Sequence, residues 1–131
     1  LGTLYCSDAC LLSQIAEYMP AWNVSSVAQI AGLAALQEHE WIENTQQIVE
    51  SERAVVSTVL CDLGLTVYQS KVNFLLLKSE KLLYEPLRKR SVLIRSCANF
   101  TGLDERYVRI GLKTHDKNMV LLRAIAEVLN G

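Results

Sequence analysis

The sequence predicts an α+β fold, a small antiparallel or mixed sheet packed with helices, and the main reason is a change of hydrophobic period near Gly64. Upstream of that glycine, apolar residues recur at three- to four-residue steps; downstream, short alternating or apolar runs stand between turn residues. The last stretch returns to the helical period. The order read is helices, two strands, a helix, two strands and a helix, in a single domain spanning residues 1–131.

The elements follow from local signals. Ala9 to Met19 carries Leu12, Ile15 and Ala16 at helical spacing and stops before Pro20, which cannot continue a helix. Ser26 with Gln29 three residues later is a capping box for a helix reaching about Leu36. Its small residues Ala28, Ala31, Gly32 and Ala35 would let another backbone approach closely. A long helix is expected from Glu38 to Leu63, with Trp41, Thr45, Ile48, Val55, Val59 and Leu63 as its stripe and Glu52 filling one longer gap. Gly64 suits the left-handed cap that ends it. Leu65 to Gln69, Val72 to Leu77, Val92 to Ser96 and Tyr107 to Leu112 read as strands, with a short helix over Lys81 to Lys89. Thr114 caps the final helix, Asp116 sits in its first turn where an anion suits the dipole, and Leu122, Ile125, Ala126 and Leu129 form its apolar stripe.

Composition narrows the function classes. Half of the 131 residues are hydrophobic and 21% are charged, as in an ordinary globular domain. A net charge of −1 gives no footprint for nucleic acid. No apolar run reaches the roughly 18 residues a membrane-spanning helix needs, and no signal peptide is visible. These features suggest a cytoplasmic protein that meets neither nucleic acid nor membrane. Cys6, Cys10, Cys61 and Cys97 lack the paired spacing of a zinc site, and His39 and His115 stand apart, so free thiols and no metal are expected. The first residue is Leu1 and not Met, which reads as a piece of something longer.

The candidates for chemistry are two arginines. In Tyr107-Val108-Arg109-Ile110-Gly111-Leu112, alternation puts Val108, Ile110 and Leu112 on the core face and Arg109 on the other, beside a glycine. A guanidinium fork there matches a carboxylate bidentately, as a lysine could not. Arg95 likewise points away from the face of Val92 and Ile94. From period alone, both arginines read first as surface residues or local salt-bridge partners. The run Arg88-Lys89-Arg90 reads as a solvated helix end, and Asn73 as a satisfied buried amide. No histidine beside a nucleophile, glycine-rich phosphate loop or carboxylate cluster is visible, so no catalytic residue is assigned.

Four segments, in order, resemble one family. Pro20 to Gln29 (PAWNVSSVAQ) is similar to the stretch leading from the large to the small domain in relatives of histidinol-phosphate aminotransferase. Ser70 to Leu76 is similar to an S-x-x-N-F strand. Val92 to Arg95 and Tyr107 to Ile110 resemble paired arginine strands, and Lys113-Thr114 with Asn118 resembles the turn before the last helix. The chain thus resembles the C-terminal small domain of aminotransferase class I/II (fold-type I) enzymes. Within the family, Ile94 to Asp104 (IRSCANFTGLD) looks most like the threonine-phosphate decarboxylases of the cobalamin pathway.

The resemblance implies roles. Arg109 matches the position that holds the substrate's α-carboxylate, and Arg95 the position where a second arginine meets phosphate-bearing substrates. The cofactor would be pyridoxal 5′-phosphate (PLP), an electron sink. Its lysine belongs to an S-x-x-K motif followed by G-L-R-x-G, whose tail Leu1-Gly2 resembles, and none of this chain's lysines stands in that motif. The resemblance therefore implies a catalytic domain upstream, a homodimer at full length, a phosphorylated amino-acid-like substrate, and no cofactor or turnover on this chain alone. Threonine-phosphate decarboxylation is the favoured activity and histidinol-phosphate transamination the alternative. A stand-alone, non-catalytic α+β binding module is the third reading. Against it stand the small-residue helix around Ala28–Ala35 and Leu1–Cys6, read as an orphan strand, both suited to packing on a partner.

Overall fold

The computed structural model describes residues 2–131, and two compact units divide the chain after Glu43. The first unit contains α1 (Ala9–Glu17) and α2 (Ser26–Gln37). Asp8 starts α1 by accepting the Leu11 N–H at 3.1 Å, which satisfies one of the orphan donors of the first turn. At α2 the cap is Ser25 and not Ser26: its Oγ accepts the Ala28 N–H at 3.2 Å. The helix starts one residue early for a capping box, so Gln29 lies one position too far along. Its amide donates to the Val24 carbonyl instead, at 3.2 Å.

Leu1 lies outside the described residues, and the rest of the expected N-terminal strand, residues 2–6, has no regular structure. None of the unit's described residues is buried. Along α2 only Ala28 and Gly32 are half-buried, while Val27, Ile30, Leu33 and Leu36 are each about two-thirds exposed or more.

α3 (His39–Asp62) is the long helix expected, but its buried stripe is rotated. Val56 and Leu60 are fully buried and Val49, Val59 and Leu63 pack beside them, whereas Trp41, Ile48 and Val55 are exposed. Glu52, read as filling a gap in the stripe, is indeed on the buried side. The helix ends as Gly64 requires. Gly64 adopts φ +82° and donates to the Cys61 carbonyl, and the Leu65 N–H reaches back to the Leu60 carbonyl at 3.1 Å. This is a Schellman turn, closed by the buried pair Leu60 and Leu65.

The sheet contains β1 (Thr66–Val67), β2 (Phe74–Lys78), β3 (Arg95–Ser96) and β4 (Tyr107–Gly111), in the order β1-β2-β4-β3 and antiparallel throughout. The expected strands are trimmed where another partner takes the backbone. Leu65 belongs to the Schellman turn, and the Val92 N–H donates to the Leu87 carbonyl at the end of α4 (Tyr84–Lys89). α4 also begins late, because the Ser79 hydroxyl donates to the Lys81 carbonyl and turns the chain there. Its basic end is solvated as expected, with Arg88 paired to Glu85 at 3.1 Å.

The core lies against one face of the sheet. Leu75, Leu77, Val108 and Ile110 point into it and meet Val56 and Leu60 of α3, Leu87 of α4, and Leu122 and Ile125 of α5 (His115–Asn130). Burying one such side chain contributes about 1.5–3 kcal/mol, so this face holds the unit together. The other face, with Phe74, Leu76 and Arg109, is exposed or half-buried.

Candidate functional site

Alternation on β4 places Arg109 on the exposed face of the sheet, and strand register places Arg95 directly opposite it. Cross-strand partners share a face, and like charges in that relation repel. Each guanidinium is held by uncharged neighbours. The Arg109 guanidinium carbon lies 4.7 Å from the centre of the Phe74 ring. Arg95 lies 5.9 Å from the Phe100 ring and donates to Asn99 Oδ1 at 3.1 Å. Neither arginine makes an ion pair among the described residues. Stacking on an aromatic face leaves the edge of the fork, with its N–H donors, open to an anion.

The two arginines border a recess of about 410 Å³ with Asn73, Phe74, Gly111 and Lys113. Its lining contains three cations and no carboxylate. Gly111, opposite Phe74 in the ladder, leaves the floor open, with nothing within 4 Å of where a Cβ would stand. Asn73 is exposed, contrary to the expectation that it is a buried amide. Its carbonyl accepts the Leu112 N–H at 2.8 Å and extends the pairing one step beyond β2.

The buried amide is Asn118, 1% exposed in the first turns of α5. It bonds both main-chain groups of Lys113 and the carboxylate of Glu52. Glu52 Oε1 also lies 3.0 Å from His115 Nδ1. The Asn118 donor holds the Glu52 carboxyl below the usual glutamate range, burial works against it, and His115 adds to the lowering. A carboxylate at this place also suits the positive end of α5. Thr114, the expected cap of α5, makes no side-chain capping bond; its carbonyl accepts the Asn118 N–H instead. Sequence reasoning missed both Glu52 and Lys113. The available signal was the polar residue inside the apolar stripe of α3.

On the same outer face, the Tyr107 ring lies tilted against Tyr68 at 6.2 Å, and this neighbour, together with burial, raises the Tyr68 hydroxyl above the usual phenol range. Cys97 is buried, Cys6, Cys10 and Cys61 are exposed, and all four are free thiols. Among the described residues no group of three or more acidic, histidine or cysteine side chains is placed to hold a metal. Among the described residues no helix is long and apolar enough to cross a membrane.

Residues 1–125 match the family model for aminotransferase class I and II. Threonine-phosphate decarboxylase of Salmonella typhimurium is 38% identical across the whole of this chain, which spans 37% of that protein. Histidinol-phosphate aminotransferase of Methanosphaera stadtmanae is 29% identical over 94% of the chain and 35% of its own length. Among solved structures, histidinol-phosphate aminotransferase from Clostridium acetobutylicum superposes with a TM-score of 0.83 at 31% identity, covering 90% of this chain and 37% of that one. The chain therefore spans little more than a third of each of these three relatives.

The cofactor linked with such relatives, PLP, can be tested against this chain's own donors. PLP needs an enclosed lysine and an acid facing its ring nitrogen. Lys81 is tied to the Leu129 carbonyl at 2.6 Å, Lys78 lies over Tyr107, and the arginine recess has no carboxylate. The arginine recess does not fit the group. With three cations and no carboxylate, the recess suits an anion.

Proposed function

Because this chain belongs to the aminotransferase class I and II family, we propose that it is the C-terminal substrate-binding domain of a PLP-dependent enzyme of the threonine-phosphate decarboxylase kind, acting in the cytoplasm in cobalamin biosynthesis. Arg109 takes the substrate's carboxylate and Arg95 meets its phosphate. The observation that carries this reading is the pair of guanidiniums opposite each other on an exposed strand face, stacked on aromatic rings, with no acid beside them. A bound dianion or carboxylate turns that repulsion into attraction.

The rest of the protein supplies the catalytic lysine and holds PLP, and at full length the enzyme is a homodimer. The first unit supports an absent partner, because none of its described residues is buried and α2 leaves Val27, Ile30, Leu33 and Leu36 exposed. This chain's part is orientation: gripping the carboxylate through a two-pronged fork fixes how the bonds at the substrate's Cα are presented, and such positioning is a large share of enzymic rate enhancement. Histidinol-phosphate transamination is the second reading, favoured by the superposition at TM-score 0.83.

The full-length protein, given threonine phosphate, is expected to release carbon dioxide. Transfer of the amino group of histidinol phosphate, with no decarboxylation of threonine phosphate, would establish the second reading instead. Residues 1–131 alone are expected to turn over neither compound; decarboxylation by this chain by itself would overturn the division of labour.

A further inference from the structure

The recess contains one cation that the arginine pair does not account for. Lys113 lines it beside Arg95 and Arg109, and one buried side chain grips its main chain in both directions. Asn118 Oδ1 accepts the Lys113 N–H at 2.9 Å, and Asn118 Nδ2 donates to the Lys113 carbonyl at 2.9 Å. The second hydrogen on Nδ2 goes to Glu52 Oε2 at 2.7 Å, so the carboxamide is anchored to α3 as well. All the donors and one acceptor site of the Asn118 amide are thereby used. The Lys113 ammonium makes no ion pair among the described residues. A buried carboxylate is weak ground for stability, and its better-attested use is to specify position. Here the position specified is that of the Lys113 backbone, at the rim of the recess.

We propose that Lys113 is a third anion-binding residue of this site, positioned by Asn118 and Glu52, and that it suits the recess to ligands bearing a carboxylate and a phosphate together. The proposal rests on the arginine reading above. A phosphate monoester carries about −1.5 to −2 at neutral pH, so with a carboxylate the ligand carries nearly three negative charges against three cations. A phosphate ester without the carboxylate leaves one cation unmatched. Lysine suits the third place, since its flexible stem carries a point charge to an anion whose shape the two arginine forks already define.

The test measures binding of O-phospho-L-threonine and of O-phosphoethanolamine, which lacks the carboxylate, to the full-length protein. Lys113→Met is expected to weaken the first by about tenfold, the scale of one hydrogen bond to a charged group, and the second by much less, with Lys113→Arg restoring most of the loss. Glu52→Gln is expected to weaken the first ligand in the parent protein and to have no further effect once Lys113 is Met, since coupled residues do not add. Additive losses would make Glu52 merely structural and overturn the positioning role. Unchanged binding in Lys113→Met, with binding lost in Arg109→Ala, overturns the Lys113 proposal and leaves the arginine reading standing. Unchanged binding in both variants overturns both. The Lys113 variants are at an exposed side chain, so they remain informative if Glu52→Gln fails to fold.

Discussion

Replacing Asn118 with alanine removes three hydrogen bonds at a site 1% exposed: two to the Lys113 main chain and one to Glu52. At about 1 kcal/mol net for each bond, the expected loss is about 3 kcal/mol. The side chain spans the junction of α3, the end of β4 and the start of α5, so no nearby group replaces it without moving an element. For a chain of this length, that loss lowers the melting temperature by roughly 10 °C. Urea denaturation followed by far-ultraviolet circular dichroism measures it directly. The midpoint should fall while the slope with denaturant stays constant, because the surface exposed on unfolding is unchanged. A loss below about 1 kcal/mol, within the ordinary range for a surface substitution, would refute the claim that this amide joins the three elements.

Other expectations follow from the same geometry. The Glu52 carboxyl titrates below its usual range in the folded chain, so its contribution to stability is present above about pH 4.3, the ordinary glutamate value, and is lost as the pH falls further through the folded value. Unfolding titrations should show that Glu52→Gln flattens this acid limb; an unchanged limb would assign it to other carboxylates. Gly64→Ala forces a Cβ into a φ of +82° and should cost about 1–2 kcal/mol. Since nothing lies within 4 Å of that Cβ, backbone strain is the only cause available, and an unchanged denaturation midpoint would contradict the Schellman assignment.

What was legible in the sequence, and what was not, divides along physical lines. The outward Arg109 and the inward Val108, Ile110 and Leu112 were legible because a period of two is a local property of β4. The stop at Gly64 was legible for a similar reason, since one residue type serves the left-handed cap. The buried face of α3 was read one residue off, with Ile48 and Val55 in place of Val49 and Val56, and the partners of Glu52, His115 and Asn118, lie 63 and 66 residues away in the chain. Asn73 was likewise read as the buried amide, whereas the structure exposes it and buries Asn118. An amide flanked by Val72 and Phe74 looks buried, yet only tertiary contact decides which asparagine has its donors and acceptors met. Register was beyond reach too. Nothing local says that Arg95 faces Arg109, and only that pairing brings the two arginines together on one face.

The central claim is that this chain reads the acid groups of the substrate while the rest of the enzyme holds the cofactor. The most direct measurement compares substrate affinity and PLP affinity in the full-length protein and its Arg109→Ala variant. Losing a charge-assisted fork should weaken substrate binding by about tenfold or more and leave PLP binding nearly unchanged. Equal losses of substrate and cofactor would contradict the account.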